Sequence, residues 1–162
     1  MPALLVPGNV ALNNVKNFLE KGIYDEQGDT SGKDLIINNQ GAQIVQVTRR
    51  IGNKQVTFDI YDSVANFTES RWQRVVAVFV NGQDWQFKDW KNGQQKRELF
   101  ARVRAYYMHY TGAKLPPQVM QWNNLKLELQ RHKRHHDVNV KNMFWSDFEQ
   151  FLKREKFTGL DF

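Results

Sequence analysis

The chain contains no cysteine. That absence excludes disulfide scaffolds, Cys-ligated zinc, iron–sulfur clusters and thiol nucleophiles. Proline is scarce, with four residues in 162, and no apolar run approaches the roughly 18 residues needed to span a bilayer as a helix. No signal-peptide pattern opens the sequence. The expectation is a soluble, intracellular-type domain with no membrane partner. Aromatic residues are plentiful by contrast: eleven Phe, five Tyr and five Trp. Their burial offsets the ordering entropy, so disorder of the whole chain is excluded. A chain of this length removes roughly two-thirds of its unfolded surface from water, enough for a core. No internal repeat or long linker divides it, and residues 1–162 read as a single domain.

Charge is unevenly placed. The net charge is +6, from 23 Lys and Arg against 17 Asp and Glu. Residues 1–90 hold nine basic against ten acidic side chains, residues 91–136 ten against two, and residues 137–162 four against five. The whole positive excess, +8, therefore lies in residues 91–136. A field of this kind favours polyanions such as nucleic acid, phosphopeptides or acidic tails. A solvated basic face is the alternative reading.

Pro2-Ala-Leu-Leu-Val-Pro7 reads as a short buried strand, and Pro7-Gly8 as a turn. A helix follows, with Val10, Val15, Phe18 and Leu19 on one face, Asn9 as its cap and Gly22 as its stop. Residues 25–41 read as an exposed loop around Leu35-Ile36-Ile37. Ile44 to Val47 and Val56 to Tyr61 predict a hairpin around Gly52-Asn53. Val75-Val-Ala-Val-Phe-Val80 is apolar at every position, as a central strand covered on both faces must be. Leu99, Val103, Tyr106 and Tyr110 fit a helix of about four turns ending near Gly112. Leu125, Leu127 and Leu129 alternate with polar residues, predicting an edge strand, and Val140, Phe144, Phe148, Phe151 and Leu152 predict a last helix. This order indicates an α/β domain with helices on both faces of a mostly parallel sheet.

A strand–turn–helix opening raises the question of a phosphate loop. In G-x-x-x-x-G-K-[ST], backbone amides and Lys hold phosphate and the hydroxyl holds magnesium. Counted from Gly8, the last three required positions fall on Asn13, Asn14 and Val15. Gly28-Asp-Thr-Ser-Gly32-Lys33-Asp34 is a residue short between its glycines and acidic where phosphate would sit. The guanine-reading Asn-Lys-x-Asp tetrad is absent. No nucleotide cofactor is expected. His132, His135 and His136 sit among Arg131, Lys133 and Arg134, which repel a dication, so a basic turn is preferred to a metal site. No serine-hydrolase, zinc-protease or paired-carboxylate pattern supplies a catalytic centre.

The basic segment is the stronger lead. Lys126, Arg131, Lys133 and Arg134 follow or end the predicted edge strand. Trp85, Phe87 and Trp90 come just after the central strand, where ligands of open α/β sheets bind, although they can equally fill the core. Arg74 and Trp85 are expected to form a charged and an aromatic contact near the C-terminal edge of that strand. A capping or tethering role for Arg74 is the alternative. Lys126, Arg131, Lys133 and Arg134 would add electrostatic support.

Arg74-Val-Val-Ala-Val-Phe-Val80, Gly82 and Trp85-Gln-Phe87 resemble the C-terminal domain of the parafibromin family, subunits of the RNA polymerase II-associated factor complex. The likeness extends to the Leu-Leu-Val-Pro opening, Val119-x-x-Trp122, Leu127-x-Leu129 with Lys133-Arg134 following, and Phe144-Trp145. It is thinnest over residues 21–55. The resemblance implies a Ras-like three-layer α/β fold without a nucleotide-binding P-loop, as a C-terminal domain excised from a longer protein. It further implies a nuclear, non-enzymatic role, helping recruit the complex to chromatin and elongating polymerase. The implied partners are phosphorylated C-terminal repeats of RNA polymerase II and of an elongation factor, together with other subunits of the complex. The alternative function is direct electrostatic binding of nucleic acid by residues 91–136.

Overall fold

A run of β-branched and aromatic residues forms a central strand only if neighbours cover both its sides and both its faces. The computed structural model describes residues 2–6, 11–24, 36–37, 43–65, 67–82, 84–87, 90 and 95–155. In chain order the elements are β1 (Ala3–Leu5), α1 (Leu12–Lys21), β2 (Ile36–Ile37), β3 (Gln43–Ile51), β4 (Lys54–Tyr61) and α2 (Glu69–Gln73). Then come β5 (Val75–Phe79), α3 (Lys96–Arg102), β6 (Arg104–Tyr110), α4 (Pro117–Gln121), β7 (Leu125–Leu129) and α5 (Asp137–Glu155).

Among the described residues the strands make one seven-stranded sheet in the order β2-β3-β4-β1-β5-β6-β7. From β4 to β7 every neighbouring pair is parallel; β3 is antiparallel to both β4 and β2. Each residue of β5 is buried, as its composition predicts. Alternation along the strands sends side chains into two cores. On one face Leu4, Phe58, Ile60, Phe79 and Tyr106 meet Phe18 and Leu19 of α1 and Phe144, Phe148 and Leu152 of α5. On the other, Leu5, Val75, Val78 and Ala105 meet Trp72, Phe87, Leu99 and Phe100.

The predicted α1 ends as expected: Gly22 is left-handed at φ 71° and its N–H donates to Phe18 O at 2.9 Å. Its start differs. The helix begins after Ala11, which makes no side-chain cap, and Asn9 and the Pro7-Gly8 turn lie outside the described residues. Ile36–Ile37 pairs with β3 as an edge strand rather than standing in a loop; the rest of 25–41 is outside the described residues. The β3–β4 hairpin, the β7 edge and α5 form where the patterns place them.

The helix expected over Leu99–Tyr110 is corrected. Only Lys96–Arg102 is helical; Val103 is extended, at φ −115° and ψ 145°, and Arg104–Tyr110 is the parallel strand β6. Tyr106 and Tyr110 are four apart, which fits one face of a helix, but they are also an even number apart and fit one face of a strand. Pairing decides between these readings. The segment lies between β5 and β7, with Tyr106 in one core and Ala105 in the other.

Candidate functional site

Parallel strands bring the C-terminal ends of β1, β5, β6 and β7 to one edge of the sheet, the usual place for a ligand in open α/β folds. After β1, the positions where a phosphate loop needs glycine, lysine and a hydroxyl hold Asn13, Asn14 and Val15. All three are buried, and Val15 packs in the core beneath the sheet. The decoy Gly28–Asp34 lies outside the described residues. Among the described residues no three His, Asp or Glu side chains gather as metal ligands, and no helix is long and apolar enough to cross a membrane.

Several cations of the basic segment are held by the fold. Arg104 donates from Nε and Nη2 to Asp147 at 2.8 and 3.1 Å, and Tyr106 Oη donates to the same carboxylate at 2.8 Å. Burial opposes the Arg104 charge, and Asp147 more than offsets this, raising its pKa. Burial, then Asp147, pushes the Tyr106 hydroxyl far above its ordinary value, so it remains a donor throughout the accessible pH range. Arg102 Nη2 donates to Trp72 O at 2.8 Å. Arg134 donates from Nε and Nη2 to Asp137 Oδ2 at 3.0 and 2.8 Å, and reaches Tyr24 O and Tyr110 Oη. The hydrogen bond to Asp137 raises its pKa further. Arg134 is thus a tether joining the start of α5 to the ends of α1 and β6.

Three cations cluster at the end of β7. Lys126 is half-buried on β7, and Arg131 and Lys133 are exposed on the turn after it. Arg131 lies over the Tyr110 ring, 4.1 Å from its centroid, which stiffens the guanidinium without removing it from water. Trp85 belongs to a short 3-10 turn, Asp84–Phe87, beyond the C-terminal end of β5; its side chain is outside the described residues. That turn and the Arg131–Lys133 turn follow strands two apart, about 10 Å across the sheet. Arg74 is not beside them. It is exposed at the C-terminus of α2, immediately before β5, and its carbonyl accepts from Ala3 N at 2.9 Å. Five residues of strand, about 16 Å, separate it from the end that carries Trp85. The expected placement of Arg74 near the C-terminal edge is therefore corrected: it stands at the opposite end of β5 from the turn that carries Trp85.

Phe87 is fully buried, touching Trp90, Phe100 and Trp122 at centroid distances of 4.8, 5.7 and 5.3 Å. It fills the core. Sequence reasoning missed the aromatic layer to which it belongs. Tyr61, Phe67, Trp72, Trp90, Phe87 and Trp122 form a continuous chain of ring contacts across the α2–α3 face. Arg71 lies over Tyr61 and Phe67, and Lys96 over Phe87 and Trp122. The helices on this face have only five to seven residues, so large rings supply cover that longer helices would otherwise give. Tryptophan content was the only signal of this layer, because rings from four separate segments carry no common period.

The strand order, with helices α1 and α5 on one face and the shorter helices on the other, defines a Ras-like α/β domain whose phosphate-loop positions are filled by buried amides and a core valine. The chain matches the family described as "RNA pol II accessory factor, Cdc73 family, C-terminal" over residues 2–151. It belongs to the Cdc73 family and comprises its C-terminal domain. Cell division control protein 73 of Saccharomyces cerevisiae is 33% identical over 156 residues, covering 93% of this chain and 38% of that protein. Cell division cycle protein 73 of Caenorhabditis elegans is 31% identical, covering 96% of this chain and 30% of that protein. The chain thus spans about a third of the length of these curated relatives. A solved structure titled "The conserved domain of yeast Cdc73" superposes with a TM-score of 0.80 at 31% identity, covering 95% of this chain and 98% of that one.

Proposed function

We propose that this domain is a non-enzymatic interaction module of the RNA polymerase II-associated factor complex. In the nucleus it helps bring the complex to chromatin and elongating polymerase by binding phosphorylated C-terminal repeats of the polymerase and of an elongation factor. The observation that carries this reading is the basic set along β7 and its following turn, half-buried Lys126 with exposed Arg131 and Lys133. Arg134 acts on that set through its tether, and Trp85, at the same sheet edge, supplies an aromatic contact. Arg74 reaches the same ligand only if the peptide runs extended along the domain, since no single phosphate spans about 16 Å.

The test is titration of repeat peptides with and without phosphate. Phosphorylated peptide binds more tightly, and Arg131→Ala and Lys133→Ala each weaken it about two- to fivefold, the effect of an exposed charge pair worth up to ~1 kcal/mol. Equal affinity for both peptides rejects the reading. Duplex DNA binding that outcompetes phosphopeptide and falls steeply with salt favours nucleic acid instead. A melting shift with GTP and Mg²⁺ indicates a retained nucleotide site.

A further inference from the structure

Among the described residues the sheet ends at β7, paired on one side with β6. One hydrogen bond tells which backbone groups face the other side: Thr111 N donates to Leu129 O at 2.8 Å across the β6–β7 pair. Backbone groups alternate in direction along a strand, so Leu125, Leu127 and Leu129 turn theirs toward β6, and Lys126 and Glu128 turn theirs outward. The register runs unbroken from Tyr106↔Leu125 to Tyr110↔Leu129. Neither proline nor a bulge blunts this edge, the devices that commonly protect one.

Charge surrounds the outward groups. Lys126 lies on the strand, and Arg131 and Lys133 stand just past its end, where Lys133 N donates to Gln130 O at 3.1 Å and closes the turn. The Glu128 carboxylate is drawn toward β6 by Thr111 Oγ1 at 2.6 Å, away from the open edge. Among the described residues no strand pairs with this side of β7, and the edge offers backbone donors and acceptors with cations at both ends.

We propose that β7 accepts an extended phosphopeptide as an additional strand. The peptide backbone bonds to Lys126 and Glu128, and its phosphates meet Lys126, Arg131 and Lys133. This rests on the phosphopeptide reading above and adds the mode of binding, in which main-chain bonds give affinity and flanking charge gives selectivity.

The probe is an end-blocked hexapeptide of alternating valine and phosphothreonine, titrated into the 162-residue chain. Its two backbone-ester analogues each lack alternate N–H groups and keep every phosphate. One analogue is expected to bind at least about tenfold more weakly, and bound peptide is expected to slow amide exchange at Lys126 and Glu128. Glu128→Pro, which removes an outward N–H, loses about tenfold while Glu128→Ala does not, with circular dichroism confirming that both fold. Phosphopeptide binding with equal ester affinities and unprotected amides overturns the added strand and leaves the phosphate reading standing. No binding by the phosphorylated probe or repeat peptides overturns both. Equal affinity for a valine–glutamate hexapeptide overturns the commitment to phosphate.

Discussion

Removing the Arg134 guanidinium leaves Asp137 with a buried, uncompensated charge. The Asp137 side chain is only 3% exposed and takes both of its described hydrogen bonds on Oδ2 from Arg134. Among the described residues its Oδ1 finds no partner. Breaking a buried pair by deleting one member costs about 3–5 kcal/mol. Water reaches part of this pair, because the Arg134 side chain is 36% exposed, and screening lowers the figure to about 2–3 kcal/mol. At this chain length each kcal/mol moves the midpoint by about 2–4 °C, so Arg134→Ala melts about 4–12 °C lower. Arg134→Lys keeps the charge but loses the fork and falls between. Lys133→Ala, one residue away on an exposed side chain, changes stability by under about 0.5 kcal/mol. Thermal unfolding by circular dichroism at neutral pH measures all three. A midpoint for Arg134→Ala within about 1 °C of the parent would refute the tether, and Arg134 would then count with the exposed cations.

Tyr106→Phe removes one donor to Asp147 from a partly buried network and costs about 1 kcal/mol. Because the Tyr106 hydroxyl stays protonated far above its ordinary range, that difference holds constant from about pH 6 to 9; a pH-dependent gap in urea unfolding contradicts the assignment. Gly22→Ala strains a left-handed backbone and drives its Cβ to 2.7 Å from the Val138 Cα, whereas Gly52→Ala, at φ 61°, meets nothing within 4 Å. Both pay about 1–2 kcal/mol for conformation, and Gly22→Ala loses measurably more in denaturant unfolding because the backbone of α5 cannot step aside. Burial raises the Asp62 carboxyl above its ordinary value, a shift its own backbone hydrogen bond only partly offsets. The folded state therefore binds this proton more tightly than the unfolded state and is penalised at neutral pH. Asp62→Asn is expected to raise the melting temperature slightly at pH 7, by under about 0.5 kcal/mol in stability, with the gain vanishing as pH falls through the ordinary carboxylate range.

Features that depend on neighbours along the chain were legible in the residues alone. The uniform apolarity of Val75–Phe79 required a central strand, Gly22 stopped a helix, and Leu125, Leu127 and Leu129 marked a half-covered edge. The misfit of Asn13, Asn14 and Val15 to a phosphate loop was a matter of counting, and their burial agrees with it. Features set by distant partners emerged with the fold. Arg104–Tyr110 satisfies helical and strand spacing alike, and pairing with β5 and β7 selected the strand. Arg74 and Trp85 are eleven positions apart in sequence, and the rigid strand between them put them at opposite ends of the sheet. Arg134 read as one more surface cation, but Asp137, Tyr24 and Tyr110 converge on it from three separate segments. A sequence records each side chain's charge; only the fold determines whether water or a buried carboxylate is there to meet it.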